Sequence, residues 1–200
     1  RDRLRSRGLG DVYKRQVIHG SLRDGITTWM PTYVSETFNL KSEISILSGI
    51  LLPVFSIICS QLTSFVNRRF VGNIMLNSGI IFVLAALSST LLALLGGKSA
   101  PASIVALALT TGCMYGINYL LTCLAPVFFV KYGKVSFISG LLNSCTYVGS
   151  AVSTYGIALL TNDKSWSYIA GIWAVTALAG AVLSLAISAA WGKFTGKSKA

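Results

Sequence analysis

Charge is scarce in this chain, and acidic charge scarcest: six Asp and Glu stand against seventeen Lys and Arg, and charged residues make up 12% of the 200 positions. With one histidine and so few carboxylates, hydrolytic acid–base chemistry has little to work with. The four cysteines, Cys59, Cys113, Cys123 and Cys145, sit in apolar stretches without C-x-x-C spacing, which argues against a disulfide framework and a metal site. A phosphate-binding loop is lacking as well. Gly97-Lys98-Ser99 and Gly196-Lys197-Ser198 have its last residues, but the glycine needed five positions earlier is Leu92 or Trp191. No enzyme activity, cofactor or nucleic-acid partner is expected. What the chain has in excess is apolar residues, 53% of the total with a mean hydropathy of +0.67, a balance unlike that of a soluble domain.

The first residues stand apart. Ser6-Arg7-Gly8-Leu9-Gly10-Asp11-Val12-Tyr13-Lys14-Arg15-Gln16 is similar to the translation of a transposon-type sequencing-library adapter. Residues 1–16 are therefore read as an artefact and set aside from fold reasoning. Six of the basic residues (Arg1, Arg3, Arg5, Arg7, Lys14, Arg15) and two of the acidic ones (Asp2, Asp11) fall there, so residues 17–200 keep eleven basic and four acidic groups, a net charge of +7. That surplus is expected in the loops of a membrane protein.

Six stretches are long enough to cross a bilayer, which takes about 20 mostly apolar residues. They are 17–38, 43–66, 71–95, 101–130, 135–160 and 166–191. No sustained period-two alternation suggests a barrel, so the expected fold is all-α, a polytopic bundle of six transmembrane helices. Arg68, Arg69, Lys131, Lys134, Lys193, Lys197 and Lys199 fall on one side of it, whereas the other has Lys41, Lys98 and Lys164 with Glu43 and Asp163 nearby. The positive-inside rule then places the loops after the second and fourth spans, and the C-terminus, in the cytoplasm. Trp166 and Tyr168 fit an outer aromatic belt, and Phe70, Tyr132 and Trp191 an inner one. The more uniformly apolar third span is expected toward lipid.

Polar residues inside such spans are the informative ones. The apolar part of the first span, from Ile26 to Phe38, is too short to cross alone, so His19, Arg23 and Asp24 are drawn into the membrane. A charged side chain at a helix centre costs about 2.5–3.5 kcal/mol on the lenient insertion scale, and is retained where it faces a partner, a cavity or a substrate. Spacing puts His19, Arg23 and Thr27 on one face, and Pro31 is expected to bend the outer half. Asp24 either shares the cavity of Arg23, as a structural ion pair that would weaken an anion site, or, about 100° around the helix, pairs with a neighbouring helix. The plain alternative for His19 is a position near the cytoplasmic end of its helix. Two further stripes run along the fourth span, Thr111, Tyr115, Asn118 and Thr122, and the fifth, Asn143, Tyr147, Ser150 and Thr154. Each should face protein or water, lining a pathway or only bonding helix to helix. Gly112-x-x-x-Gly116 and the Gly149/Ser153 pair permit close helix approach.

The segment Leu22-Arg23-Asp24-Gly25-Ile26-Thr27-Thr28-Trp29-Met30-Pro31-Thr32-Tyr33 resembles the seventh helix of major facilitator superfamily transporters. It is most similar to the organophosphate:phosphate antiporter branch, which includes sugar-phosphate and glycerol-3-phosphate permeases. The resemblance continues through Met114-Tyr115-Gly116, Ser139-Gly140-Leu141-Leu142-Asn143 and Tyr147-Val148-Gly149, covering 17–200 as the C-terminal six-helix half. It implies that Arg23 matches an arginine that holds the substrate phosphate together with another from the N-terminal half, and that Tyr147 matches an aromatic position near the same site. The missing N-terminal half and a small anionic solute are the implied partners, and a cytoplasmic membrane the implied location.

The expected substrate-binding set is Arg23, Thr27, Tyr115, Asn118, Asn143 and Tyr147. Two departures from the branch stand out. Gly20 replaces a common aromatic residue, and Asp24 replaces a neutral one. Asp24 and His19 support an alternative, a proton-coupled carrier of another solute, since intramembrane carboxylates and imidazoles serve as proton relays. A third reading is a membrane sensor or assembly subunit that binds without net flux.

Overall fold

The computed structural model describes residues 2–39, 50–161 and 165–199. Lys41, Glu43, Asp163, Lys164 and the start of the second expected span lie outside them, as do the side chains of Lys131, Tyr132, Lys193, Lys197 and Lys199. The described residues are helical, without a strand, and form six rods. We label these α1 (Asp2–Phe38), α2 (Leu51–Val66), α3 (Ile74–Leu95), α4 (Ala100–Asn118), α5 (Val135–Thr161) and α6 (Trp166–Lys199). Among the described residues four stretches are long and apolar enough to cross a membrane: Ile74–Leu95, Ala100–Val130, Val135–Thr161 and Trp166–Gly192. These match the last four expected spans. In α1, Arg15, Arg23, Asp24 and Glu36 interrupt the apolar sequence.

Helix α1 does not begin at residue 17. It runs unbroken from Asp2 and continues through Pro31. Arg15 and Gln16 are fully buried; Arg15 donates to the Met75 sulfur on α3, and Gln16 Nε2 to Thr122 Oγ1 at 2.6 Å. Further along, Leu22, Ile26, Met30, Tyr33 and Val34 recur at helical spacing and form its buried stripe.

The fourth expected span changes character along its length. After α4 the chain opens into a π-helical turn, Tyr119–Leu124, and tightens into a 3-10 segment, Ala125–Tyr132. Pro126 accounts for the change: it has no N–H to offer the Thr122 carbonyl, and its ring would clash with that carbonyl in a regular α-helix. Ser139 of α5 donates its hydroxyl to the Thr122 oxygen at 3.1 Å, supplying the missing partner from a neighbouring helix. A sharp connection between α2 and α3 lies at the same end of the bundle, where Arg68 reaches Tyr119. Gly72, at φ 65°, ends the π-helical extension Asn67–Val71 of α2, and its N–H bonds the Asn67 carbonyl at 2.8 Å. The Asn73 side chain then caps α3, accepting from the Met75 and Leu76 amides.

Three helix pairs organise the bundle: α1 along α5, α2 along α4, and α3 along α6; α4 also meets α1 and α3, and α6 meets α1. Small residues set the spacing in each pair. A Cβ on Gly112 would stand 2.7 Å from Cys59 Sγ, and one on Gly116 2.4 Å from Thr63 Oγ1, so this G-x-x-x-G is the seat of α2 on α4. On α3 and α6 the fit is reciprocal, with Phe82 filling the space beside Gly180 and Leu185 that beside Gly79. The third span is therefore not a lipid-facing helix throughout. Ile80, Leu84, Leu87 and Leu91 are exposed, but Asn77, Ser78, Phe82, Ser88 and Ser89 are buried. Gly112→Leu is expected to separate α2 from α4, costing about 1–3 kcal/mol. Thermal unfolding in detergent measures this, and an unchanged midpoint would mean that the two helices do not meet at Gly112.

Aromatic residues gather at both ends. Trp166 meets Tyr33 edge-on at 5.4 Å and Trp29 at 6.5 Å, and its Nε1 donates to Glu36 Oε2 at 2.8 Å. At the opposite end Phe128 meets Trp191 at 5.7 Å. Trp191 is not a belt residue reaching outward, as its position suggested, but is 6% exposed and packed inside the bundle. Phe70 and Tyr168 are the exposed aromatics of the expected belts.

Candidate functional site

The site is built where α1, α4 and α5 meet. Glycine opens α1 to close approach: a Cβ on Gly20 would stand 2.0 Å from the Thr146 carbonyl oxygen of α5, and one on Gly149 2.0 Å from the Val17 carbonyl oxygen of α1. The Ser21 hydroxyl donates across the contact to the Gly149 carbonyl at 3.0 Å. Backbones this near leave no room for the aromatic residue that the resemblance expects at Gly20. One turn further along, Ser153 lies against Gly25.

Arg23 and Asp24 form a forked ion pair within this frame. Nε meets Oδ1 at 2.6 Å and Nη2 meets Oδ2 at 2.9 Å, with the two side chains 12% and 23% exposed. Of the two placements open to Asp24, the structure has the one beside Arg23 and not a counter-charge on a neighbouring helix. Although Cβ directions of adjacent residues diverge on a helix, the long arginine stem bridges the gap and brings its planar fork onto the carboxylate. Asp24 also lies beside the Ser150 side chain of α5. The Arg23 guanidinium carbon stands 5.7 Å from the centre of the Tyr115 ring of α4, in range for a cation–π contact. Tyr147 of α5 lies close enough to act on the same charge. A cation neutralised by a forked carboxylate and an aromatic face is far less costly to embed among apolar helices than a bare one.

The other expected residues divide. Thr27 donates to the Arg23 carbonyl of its own helix at 2.7 Å, a backbone bond that leaves little of its hydroxyl for a ligand. Asn118 accepts from Thr122 at 3.1 Å, and Thr122 in turn accepts from Gln16, so this part of the α4 stripe bonds helix to helix. Thr111 is fully buried, its hydroxyl without a partner. Asn143 is half-buried, a turn from Tyr147, with Tyr147 60% exposed. His19 is not at a helix end. It is fully buried in the middle of α1, against the Met114 backbone of α4, with neither ring nitrogen in hydrogen-bonding geometry.

Ser150 belonged to the α5 stripe but was not singled out for the site. Its contact with Asp24 depends on how α5 is rotated, which spacing alone does not give. The α5 face against α1 is Thr146, Gly149, Ser153 and Ile157, next to the expected Asn143, Tyr147, Ser150 and Thr154 stripe rather than coincident with it. Helix α5 is the least covered of the four apolar stretches, with 22% of its span buried against 44–50% for the others. Tyr147, Val148, Val152 and Tyr155 leave it an open face beside the ion pair.

Fold and site define an all-helical protein with helices of membrane-spanning length and apolarity and an ion pair set among them. No protein-family model matches the chain, and no curated protein matches it. Among the described residues there is no group of His, Cys, Asp and Glu that could hold a metal ion.

Proposed function

We propose that the chain is one six-helix half of a secondary transporter of the major facilitator type, carrying a small anionic solute such as a phosphate ester in exchange for phosphate. The observation that carries this reading is Arg23, a guanidinium held inside the bundle at the edge of the open face of α5. Ten residues separate it from Tyr33 in the aromatic cluster, roughly 15 Å at the helical rise, or about half the thickness of a bilayer's hydrocarbon core. A guanidinium at that depth suits a phosphoryl group, since it stays charged and offers paired donors. Tyr115 and Tyr147 would flank the anion, and rocking of this half against a second one would expose the site to either side of a cytoplasmic membrane in turn.

A second reading, a proton-coupled carrier of another solute, has its own support: Asp24 already occupies the arginine fork, and His19 is buried one turn away. Both are tested with the chain and its proposed N-terminal half together in liposomes. Phosphate-driven uptake of a phosphate ester is expected to fall roughly tenfold to a hundredfold in Arg23→Lys, because an ammonium cannot reproduce the forked contact. Unchanged uptake in that variant would remove Arg23 from the site. Uptake that ignores phosphate and follows an imposed pH gradient would replace the antiport reading with the proton-coupled one.

A further inference from the structure

A second basic site lies away from Arg23, at the end of α2. Gln61, Ser64, Phe65, Arg68 and Arg69 follow the i, i+3, i+4, i+7, i+8 spacing and share one face of that helix, lining an open surface cleft of about 380 Å³. The opposite face is fixed in rotation by buried polar bonds: Asn77 Nδ2 donates to the Thr63 carbonyl at 3.3 Å and reaches Asn67 Oδ1 at 3.5 Å. The cleft face is thereby held outward, and both arginines are exposed. Tyr119 reaches toward it from α4, its hydroxyl accepting from Ser64 Oγ at 3.3 Å and from Arg68 Nη2 at 3.5 Å. Each of these long contacts leaves the donors free to shorten onto a better acceptor.

Two irregular segments meet at this point. Asn67–Val71 and Tyr119–Leu124 are both π-helical, and α2 touches the second of them. Such turns interrupt regular helix geometry and are frequent at functional sites. Beside the arginines, Phe65 and Phe70 stack edge-on at 6.1 Å and are 59% and 73% exposed, giving the polar cleft an apolar wall. Residues placed here only to satisfy the positive-inside bias would need neither the tyrosine hydroxyl nor the aromatic wall.

We infer that the Arg68–Arg69–Tyr119 cleft is a binding site for a phosphate group at the basic end of the bundle, separate from Arg23 and independent of its role. Two guanidiniums with hydroxyl and amide donors recognise phosphoryl oxygens, and the phenylalanines suit an acyl chain attached to them. The same chemistry is offered by an anionic phospholipid headgroup and by free phosphate.

The test uses the 200-residue chain in two settings. In phosphatidylcholine nanodiscs it is titrated with inorganic phosphate; in nanodiscs of equal parts phosphatidylcholine and phosphatidylglycerol, the lipids it retains are identified by native mass spectrometry. The Arg68→Gln/Arg69→Gln pair is expected to weaken binding roughly tenfold or more with the unfolding midpoint unchanged, as both side chains are exposed. Tyr119→Phe should weaken it a few-fold, and both effects should persist in an Arg23→Gln background, which silences the anion site proposed above. Loss of phosphatidylglycerol retention identifies the headgroup as the source, and loss of phosphate affinity the free anion. The inference is overturned if the unaltered chain prefers neither probe, if the paired substitution binds both as before, or if only Arg23→Gln abolishes binding.

Discussion

Replacing Gly20 with phenylalanine is expected to unseat α1 from α5 and to produce a large loss of stability. The reason is distance. At Gly20 even one methyl group would stand 2.0 Å from the Thr146 carbonyl oxygen, where a carbon and an oxygen need more than 3 Å. A flexible side chain could move away, but the obstacle is backbone on a helix that also has Gly149 pressed against the Val17 carbonyl. The helices must therefore separate along the contact, breaking the Ser21–Gly149 bond as they do. Overpacking a well-packed core costs about 1–3 kcal/mol, and a backbone clash belongs at or above the top of that range. Thermal unfolding in detergent reads the effect. Gly20→Ala should show part of it, because its methyl meets the same oxygen. A Gly20→Phe chain that unfolds at the unaltered midpoint would mean that α1 and α5 do not cross at this residue. The same substitution tests the resemblance: if the aromatic residue of the phosphate-ester antiporters restores or improves stability here, α1 packs as it does in them.

Asp24→Asn is expected to act in two directions at once. The variant keeps the shape of the side chain but removes the negative charge that meets Arg23 at 2.6 and 2.9 Å. Breaking a fully buried pair by removing one partner costs about 3–5 kcal/mol. The effect should be smaller here, since both side chains retain some exposure and the Tyr115 ring still faces the guanidinium. A lower unfolding midpoint follows. If Arg23 is the anion-binding group, the carboxylate is its internal competitor, and removing it frees both donors of the fork. Phosphate affinity should then rise roughly tenfold or more, the worth of one charge-assisted contact no longer displaced. Phosphate titration of the chain in phosphatidylcholine nanodiscs, with Arg68→Gln/Arg69→Gln as background to silence the second cleft, isolates the change. Lower stability with no gain in phosphate binding would make the ion pair a structural element only.

The two substitutions touch what was hardest to anticipate. Four apolar stretches were legible because length and apolarity suffice to mark them, and they reappear as helices with nearly the expected limits. Thr122 and Asn118 were visible as a polar stripe, but whether they face a pathway or bond to Gln16 depends on what lies opposite. His19 was ambiguous for a related reason. Its burial comes from α4 packing over the middle of α1, whereas a helix read from its own residues offers only a face and a depth. Whether Arg23 and Asp24 would pair with each other stayed open because spacing rules follow Cβ directions, and an arginine is long enough to depart from its own.

The apolar helices, the scarcity of charge that makes Arg23 and Asp24 stand out, and the small residues through which helices approach are all legible in the order of residues. Those properties follow from composition and from the 3.6-residue period, which act within one helix at a time. Which small residues meet which backbone, that the Thr122 carbonyl left open by Pro126 goes to Ser139, and that Tyr115, Ser150 and Tyr147 gather around the ion pair all come from how the helices pack. Each of these depends on the rotation and offset of one helix against another, set by the fit of side chains over the whole length of the contact.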